Sequence, residues 1–166
     1  MRSSFLVMFL VITCCLGASP LISMAAVIPS PGKSVAKISN LAKMEEEILF
    51  YINDYRVKKG LAVLQMNAHI SLEAQKHSAD MASNKMAFGH DGFEDRVKLI
   101  SKKIGTMRAS AENVAYGNLS PREVVDIWLK SPGHRKNIKG KYTLTGIGTA
   151  TAKNDVIFFT QIFATK

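Results

Sequence analysis

Cysteine is nearly missing from this chain of 166 residues: it has two, Cys14 and Cys15, both inside an N-terminal apolar run. If that run is removed on export, no thiol remains. Disulfides, cysteine-ligated metals and thiol nucleophiles are then excluded. Small exported eukaryotic domains commonly rely on disulfides, so a cysteine-free domain fits a bacterial exported protein better. Acidic residues are also in short supply, 13 Asp and Glu against 22 Lys and Arg, for a formal charge of +9. Local catalytic motifs are missing too. There is no Gly-x-Ser-x-Gly and no His-Glu-x-x-His. The basic residues are not interleaved with aromatics as in a nucleic-acid platform, so nucleic acid is not an expected partner. No internal repeat is present.

The one long apolar run is at the N-terminus. Arg2 precedes FLVMFLVITCCLG at Phe5 to Gly17, and small residues follow, ending in SMAA at Ser23 to Ala26. Basic start, apolar core and small-residue end are the order of a secretory signal. The apolar core falls short of the roughly 20 residues of a membrane span. Cleavage after Ala25 leaves Ser23 and Ala25 as the third and first residues before the cut. A retained N-terminal anchor is the alternative. Lipidation at Cys14 or Cys15 is weaker, because Thr13 is a poor residue before a lipidated Cys. The expected organisation is a signal peptide at 1–25, a flexible linker at 26–42 rich in Pro, Gly and Ser, and one domain at 43–166. The expected location is secreted, periplasmic or extracellular. Loss of Arg2 with the signal leaves a charge of +8. That charge favours anionic surfaces such as phospholipid headgroups or wall polymers, and it equally serves solubility.

Within the domain, hydrophobic spacing predicts helices first and strands last. Leu41–Lys59 reads as a helix with Glu45, Glu46 and Glu47 early and Lys58 and Lys59 late, the order the helix dipole favours. Ile48, Ile52 and Tyr55 form its stripe, and Gly60 stops it. LAVLQMN reads as an extended connector. A second helix is expected from about Ala68 to Lys85, with Ile70, Ala74, His77 and Met81 on one face and Leu72 and Ala79 widening it. Glu94–Lys103 is a third. Ser110–Tyr116 reads as a strand. Ser120, Pro121 and Glu123 form a capping box that opens a fourth helix, with Val124, Ile127 and Trp128 toward the core. GHRKNIK after Ser131-Pro132 reads as a turn or short helix. Thr145–Thr151 and Asp155–Thr165 read as a β-hairpin joined through AKND. The fold class expected is α+β, an antiparallel sheet covered by helices.

Five blocks of this chain resemble the CAP superfamily (also SCP: cysteine-rich secretory proteins, antigen 5 and plant pathogenesis-related proteins). They are A-x-x-H-S-A-D-M-A at Ala74–Ala82, F-G-H-D-G-F-x-D-R at Phe88–Arg96 and A-E-N-V-A at Ala111–Ala115. W-L-K-S-P-G-H-R-x-N-I at Trp128–Ile138 and F-T-Q-I-F at Phe159–Phe163 complete the set. The match covers about residues 43 to 165. The missing cysteines and the Ser-Pro-Gly-His-Arg turn resemble the bacterial branch. The resemblance implies an α-β-α sandwich, export and a central cleft. In eukaryotic members the cleft carries two His and two Glu, and the His can hold a divalent metal. Here His90 matches the first His and Glu112 the first Glu. The second Glu falls on Ser131 and the second His on Phe158. Half of the set is absent, which counts against that metal site. His134 is the bacterial-type substitute.

The cleft candidates are therefore His90, Glu112, His134, Ser131, Arg96 and Asn113. His90 sits between Gly89 and Asp91 in a loop. Glu112, flanked by Ala and Val, is expected to be partly buried and so to need a partner, with His90, His134 or a backbone N–H in reach. Asn113 and Asn137 are expected to satisfy backbone groups. Arg96 and Arg135 suit pairing with Asp95, Glu112 or an anionic ligand. His90 and His134, with Glu112, make enough ligands in number for zinc. His77 is expected to pack on its helix face and His69 to be exposed. Ser131 lies three residues before His134 without a local Asp to complete a triad.

Three functions compete. The first is a binding module, expected to be a monomer, taking a small hydrophobic, lipid, sterol or cell-wall ligand. The second is an envelope structural or interaction protein using the basic surface. The third is a metal-dependent hydrolase using His90, His134 and Glu112.

Overall fold

The computed structural model describes residues 33–166. The expected signal peptide and the first part of the linker lie outside the described residues. Five helices and four strands follow in order: α1 (Lys33–Lys58), β1 (Gln65–Met66), α2 (Ala68–Ala82), α3 (Phe93–Ile104), β2 (Ala109–Gly117), α4 (Pro121–Lys130), α5 (Pro132–Ile138), β3 (Leu144–Thr151) and β4 (Ile157–Thr165). The strands form one sheet in the order β1-β3-β4-β2. β4 pairs antiparallel with both β3 and β2, while β1 runs parallel to β3.

Helices cover both faces of this sheet, so the fold is the α-β-α sandwich. Alternation along β4 divides the core. Phe159 and Phe163 join Ile48 and Ile52 of α1, Val124, Val125 and Trp128 of α4, and Ile138 of α5 on one face. Ile162 and Ala164 join Ile70 and Ala74 of α2 and Ile100 of α3 on the other. Buried Trp128 donates its indole N–H to the Val114 carbonyl at 3.2 Å, which fixes α4 against β2.

α2 lies unusually near the sheet. A Cβ at Gly146 would overlap the Ser71 amide nitrogen, and one at Gly148 would overlap the Gln75 amide nitrogen. Two strand glycines thus let helix backbone meet strand backbone. Ser78 then reaches the Gly148 carbonyl and the Thr160 hydroxyl, both at 2.8 Å. On the opposite face Arg56 ties α1 to the chain after α5. It is 1% exposed. Its Nη1 donates to the Ile138 and Gly140 carbonyls, Nη2 to Tyr142 and Nε to Ala62.

Several expectations are corrected here. α1 begins at Lys33, not Leu41, so part of the segment read as flexible linker is helical. After Pro31 and Gly32 no further helix breaker intervenes before Gly60. The sheet is mixed rather than wholly antiparallel, because Gln65 and Met66 of the expected connector pair parallel with Leu144 and Thr145. Leu72 is 52% exposed and Ile127 44% exposed. The narrow faces that α2 and α4 bury run through Ile70, Ala74, His77 and Met81, and through Val124, Val125 and Trp128. α2 stops at Ala82, since Asn84 takes a positive φ of 58°. β4 starts at Ile157, and Asp155 with φ of 63° belongs to the turn. GHRKNI is helical, as α5. The capping box at Ser120 and Glu123 forms as read.

The close approach at β3 makes a direct test. Gly148→Ala should destabilise the domain by at least about 2 kcal/mol in urea unfolding, since a methyl must be forced between packed backbones. Gly133→Ala, in α5 with open space around it, should be neutral or stabilising. Equal midpoints for Gly148→Ala and the unsubstituted protein would refute the backbone-on-backbone packing.

Candidate functional site

Glu112 is the centre of the polar site. It sits in β2, the strand at one edge of the sheet, and its side chain is 2% exposed. Strand alternation sends Glu112 toward α2 and α3, and sends Asn113 toward α4 and α5. A buried carboxylate needs compensation; Arg96 of α3 and His90 of the preceding loop supply it, and His77 of α2 lies close by.

Arg96 of α3 makes a two-point contact. Its Nε donates to Glu112 Oε2 at 2.9 Å and its Nη2 to Oε1 at 2.8 Å. The remaining Arg96 donor, Nη1, goes to the Asp91 carbonyl at 2.7 Å. The same guanidinium therefore neutralises Glu112 and holds the loop that carries His90. His90 Nδ1 lies 2.9 Å from Glu112 Oε1. With the carboxylate as acceptor, Nδ1 carries the proton and Nε2 faces outward. The His90 side chain is half exposed, at 53%.

His77 of α2 is the third neighbour. Its Nε2 donates to the Gly89 carbonyl at 2.9 Å and lies 3.8 Å from Glu112 Oε1. That bond leaves Nδ1 without a proton, and this buried atom has no partner. Burial, above all, lowers the His77 pKa below the ordinary imidazole value, with Arg96 and His90 acting in the same direction. The expected packing role of His77 is present, and it also shapes the polar site. Sequence periodicity had no means to separate the two. His69 is exposed.

The sheet edge brings α5 to the same place. Asn113 Nδ2 donates to the His134 carbonyl at 3.3 Å, and Asn137 Nδ2 bridges Asn113 Oδ1 at 2.9 Å and the Glu112 carbonyl at 3.1 Å. The expected service of both Asn to backbone groups is therefore seen. His134 Nδ1 is buried and unpartnered. Burial lowers its pKa, and nearby His90 lowers it further. Ser131 joins α4 to α5, and among the described residues its hydroxyl makes no hydrogen bond to His134. Arg135 turns away and donates to the Leu129 carbonyl at 2.9 Å. Of the six cleft candidates, His90, Glu112 and Arg96 are in direct contact. Asn113 and His134 join them through backbone links, and Ser131 stands apart.

This set does not fit a metal ion. Both Glu112 oxygens are engaged, and the Arg96 charge beside them repels a cation. Among the described residues no group of three or more His, Cys, Asp or Glu is arranged to hold a metal. The reading of zinc on His90 and His134 therefore lacks a third ligand.

Apolar neighbours escaped the sequence reading. Phe88, two residues before His90, packs edge-on against Tyr116 at 4.7 Å between ring centroids. Tyr116 stacks on Phe158 at 5.6 Å and 20°. Tyr116 and Phe158 are register partners across β2 and β4. Both line a cavity of about 680 Å3, between the end of α2 and the β3–β4 turn, together with Ala82, Asn84, Lys153 and Val156. No local signal in the sequence links Tyr116 to Phe158, because they lie on strands far apart in the chain and meet only through the register of β2 with β4.

One titration follows from the buried imidazoles. An unfolded His takes a proton near pH ~6.5, whereas folded His77 resists protonation to a lower pH. As pH falls, the unfolded state binds the proton first. The His77 contribution is thus full above that value and is lost as pH falls toward and through the folded pKa. Urea unfolding should show stability declining from pH 7 to 5.5, with a shallower decline in His77→Gln. Parallel profiles would refute it. Separately, Arg96→Ala should cost about 3–5 kcal/mol by stranding the Glu112 charge, and adding Glu112→Gln should recover part of that loss.

Among the described residues no helix is long and apolar enough to cross a membrane. The chain is similar to an uncharacterized protein of Bacillus subtilis, YkwD, with 32% identity over 113 residues, covering 66% of this chain and 44% of that protein. It is also similar to an uncharacterized membrane protein of that bacterium, YlbC, with 33% identity over 131 residues, covering 72% of this chain and 34% of that protein. The chain thus spans less than half the length of the curated relatives it matches. A solved extracellular protein of Bacillus anthracis containing an SCP domain superposes with a TM-score of 0.67 at 26% identity, over 83% of this chain and 45% of that one. Residues 49–163 match the CAP, or cysteine-rich secretory protein, family. With the sandwich, the sheet order and the edge-strand Glu112 site in hand, this chain belongs to the CAP family.

Proposed function

We propose that this domain is an exported binding module whose cleft takes the apolar part of a lipid or other hydrophobic envelope ligand. The observation that carries the reading is the Phe88–Tyr116–Phe158 stack opening onto a cavity of about 680 Å3. Phe88 and Tyr116 are 47% and 57% exposed. Exposed aromatics grouped at a cavity mouth mark a binding surface more than scattered ones do. The volume falls in the usual range for small-molecule sites. Phe158 stands where the family resemblance puts a second cleft His, so an apolar wall replaces a polar one. Export rests on the basic, apolar, small-residue order of the N-terminus and on the extracellular SCP relative.

A hydrolytic reading has one observation in its favour. Glu112 orients His90 with Nε2 outward, an arrangement suited to general base work. Arg96 already engages both oxygens of that carboxylate, and no hydroxyl is hydrogen-bonded to either His90 or His134 among the described residues. The apolar binding reading is the better supported of the two.

A fluorescent fatty acid titrated into the full-length protein tests it. Saturable binding at micromolar concentration is expected. Phe158→Asp should weaken it about tenfold or more, as loss of one aromatic contact is worth about 1.5–3 kcal/mol. His90→Ala should change it little. A folded protein with no saturable uptake, or equal uptake by Phe158→Asp, would remove the apolar cleft as the ligand site.

A further inference from the structure

The positive charge of this protein is not spread evenly. Between Asp126 and Asp155 the chain has no carboxylate, while Lys130, Arg135, Lys136, Lys139 and Lys141 fall within twelve residues. Arg135, Lys136, Lys139 and Lys141 line a hollow of about 420 Å3 with Pro132 and Gly140. Among the described residues none of these cations has a carboxylate partner. Lysines elsewhere do pair: Lys58 with Asp54 and Lys98 with Asp95 have their acids three or four residues away on the same helix, and Lys85 reaches back to Asp80. The field at the hollow is therefore uncompensated.

The hollow is also built rather than loose. Buried Arg56 holds the Ile138, Gly140 and Tyr142 carbonyls from beneath. Thr143 N–H bonds the Ala164 carbonyl at 3.1 Å, and Gly140 N–H bonds Asn137. The cationic side chains project from a backbone whose shape is set by these contacts.

We infer that this face docks a linear polymer of phosphodiester groups, the chemistry of an anionic wall polymer. Four cations side by side suit a ligand whose charge repeats, since several contacts form at once and release bound counterions. A single phosphate would meet only exposed cations, three of them strongly hydrated ammonium groups, with no buried polar group to hold it. A membrane surface is the poorer fit: no exposed large apolar side chain lines the hollow to insert beside headgroups. The inference is independent of the aromatic cleft and shares only the premise of export.

The test uses the full-length protein and synthetic poly(glycerol phosphate), with affinity measured by calorimetry at low and moderate salt. Binding that weakens steeply with salt is expected. The variant Lys136→Gln/Lys139→Gln/Lys141→Gln should bind at least about tenfold more weakly. The control Lys102→Gln/Lys103→Gln/Arg108→Gln removes the same charge from exposed positions at the far end of α3 and beyond, and should stay within about twofold. Circular dichroism and melting temperature confirm that both variants fold. Equal losses in the two variants would overturn the inference in favour of net charge alone. So would no binding to the polymer, or tighter binding to vesicles of anionic phospholipid.

Discussion

Backbone-to-backbone contact between α2 and β3 is the constraint from which the rest of the domain follows. Gly146 and Gly148 leave no side chain between helix and strand, so the helix axis is held at a distance that no larger residue permits. Ser78 can then reach both the Gly148 carbonyl and the Thr160 hydroxyl with its short side chain. The neighbouring His77 is carried to the edge of the sheet, 3.8 Å from Glu112. A wider separation would leave both polar groups buried and farther from their partners, which is costly in a low-dielectric interior.

Two buried arginines show how one residue type meets opposite demands. Arg56 faces only carbonyl oxygens, four of them, and so fastens α1 to a loop without any carboxylate. Burial lowers its pKa, yet a guanidinium starts so high that it keeps its charge. Arg96 faces a carboxylate, and the planar fork matches both oxygens at once. The first arrangement gives a rigid scaffold under a basic surface. The second gives a neutralised polar centre under a half-exposed imidazole. A lysine at either place would supply charge without the fork.

The chemistry of the cleft follows from this neutralisation. With Glu112 matched by Arg96, the site has no spare negative charge to attract a cation, and its imidazoles at positions 77 and 134 resist protonation. A separate aromatic group begins two residues before His90, where Phe88 meets Tyr116 and Phe158. The domain thus presents an apolar mouth at one place and a basic hollow at another, with a structural polar network between the halves of the sandwich.

The sequence by itself determined the helices with strong local signals, the final hairpin and the five motif blocks. Capping boxes, glycine stops and 3.6-residue spacing act over a few residues, so they are legible without the fold. The Ser120–Glu123 cap is of this kind. The need of Glu112 for a partner was also legible, because an acid among Ala and Val must be compensated. Only the tertiary structure decided which partner it takes, since Arg96 arrives from a separate helix and the choice among His90, His134 and backbone depends on loop geometry. It likewise decided that Gln65 and Met66 pair with β3, that Leu72 and Ile127 face outward, and that Tyr116 meets Phe158. Each of these depends on the distance and rotation between elements far apart in the chain, which no local spacing encodes.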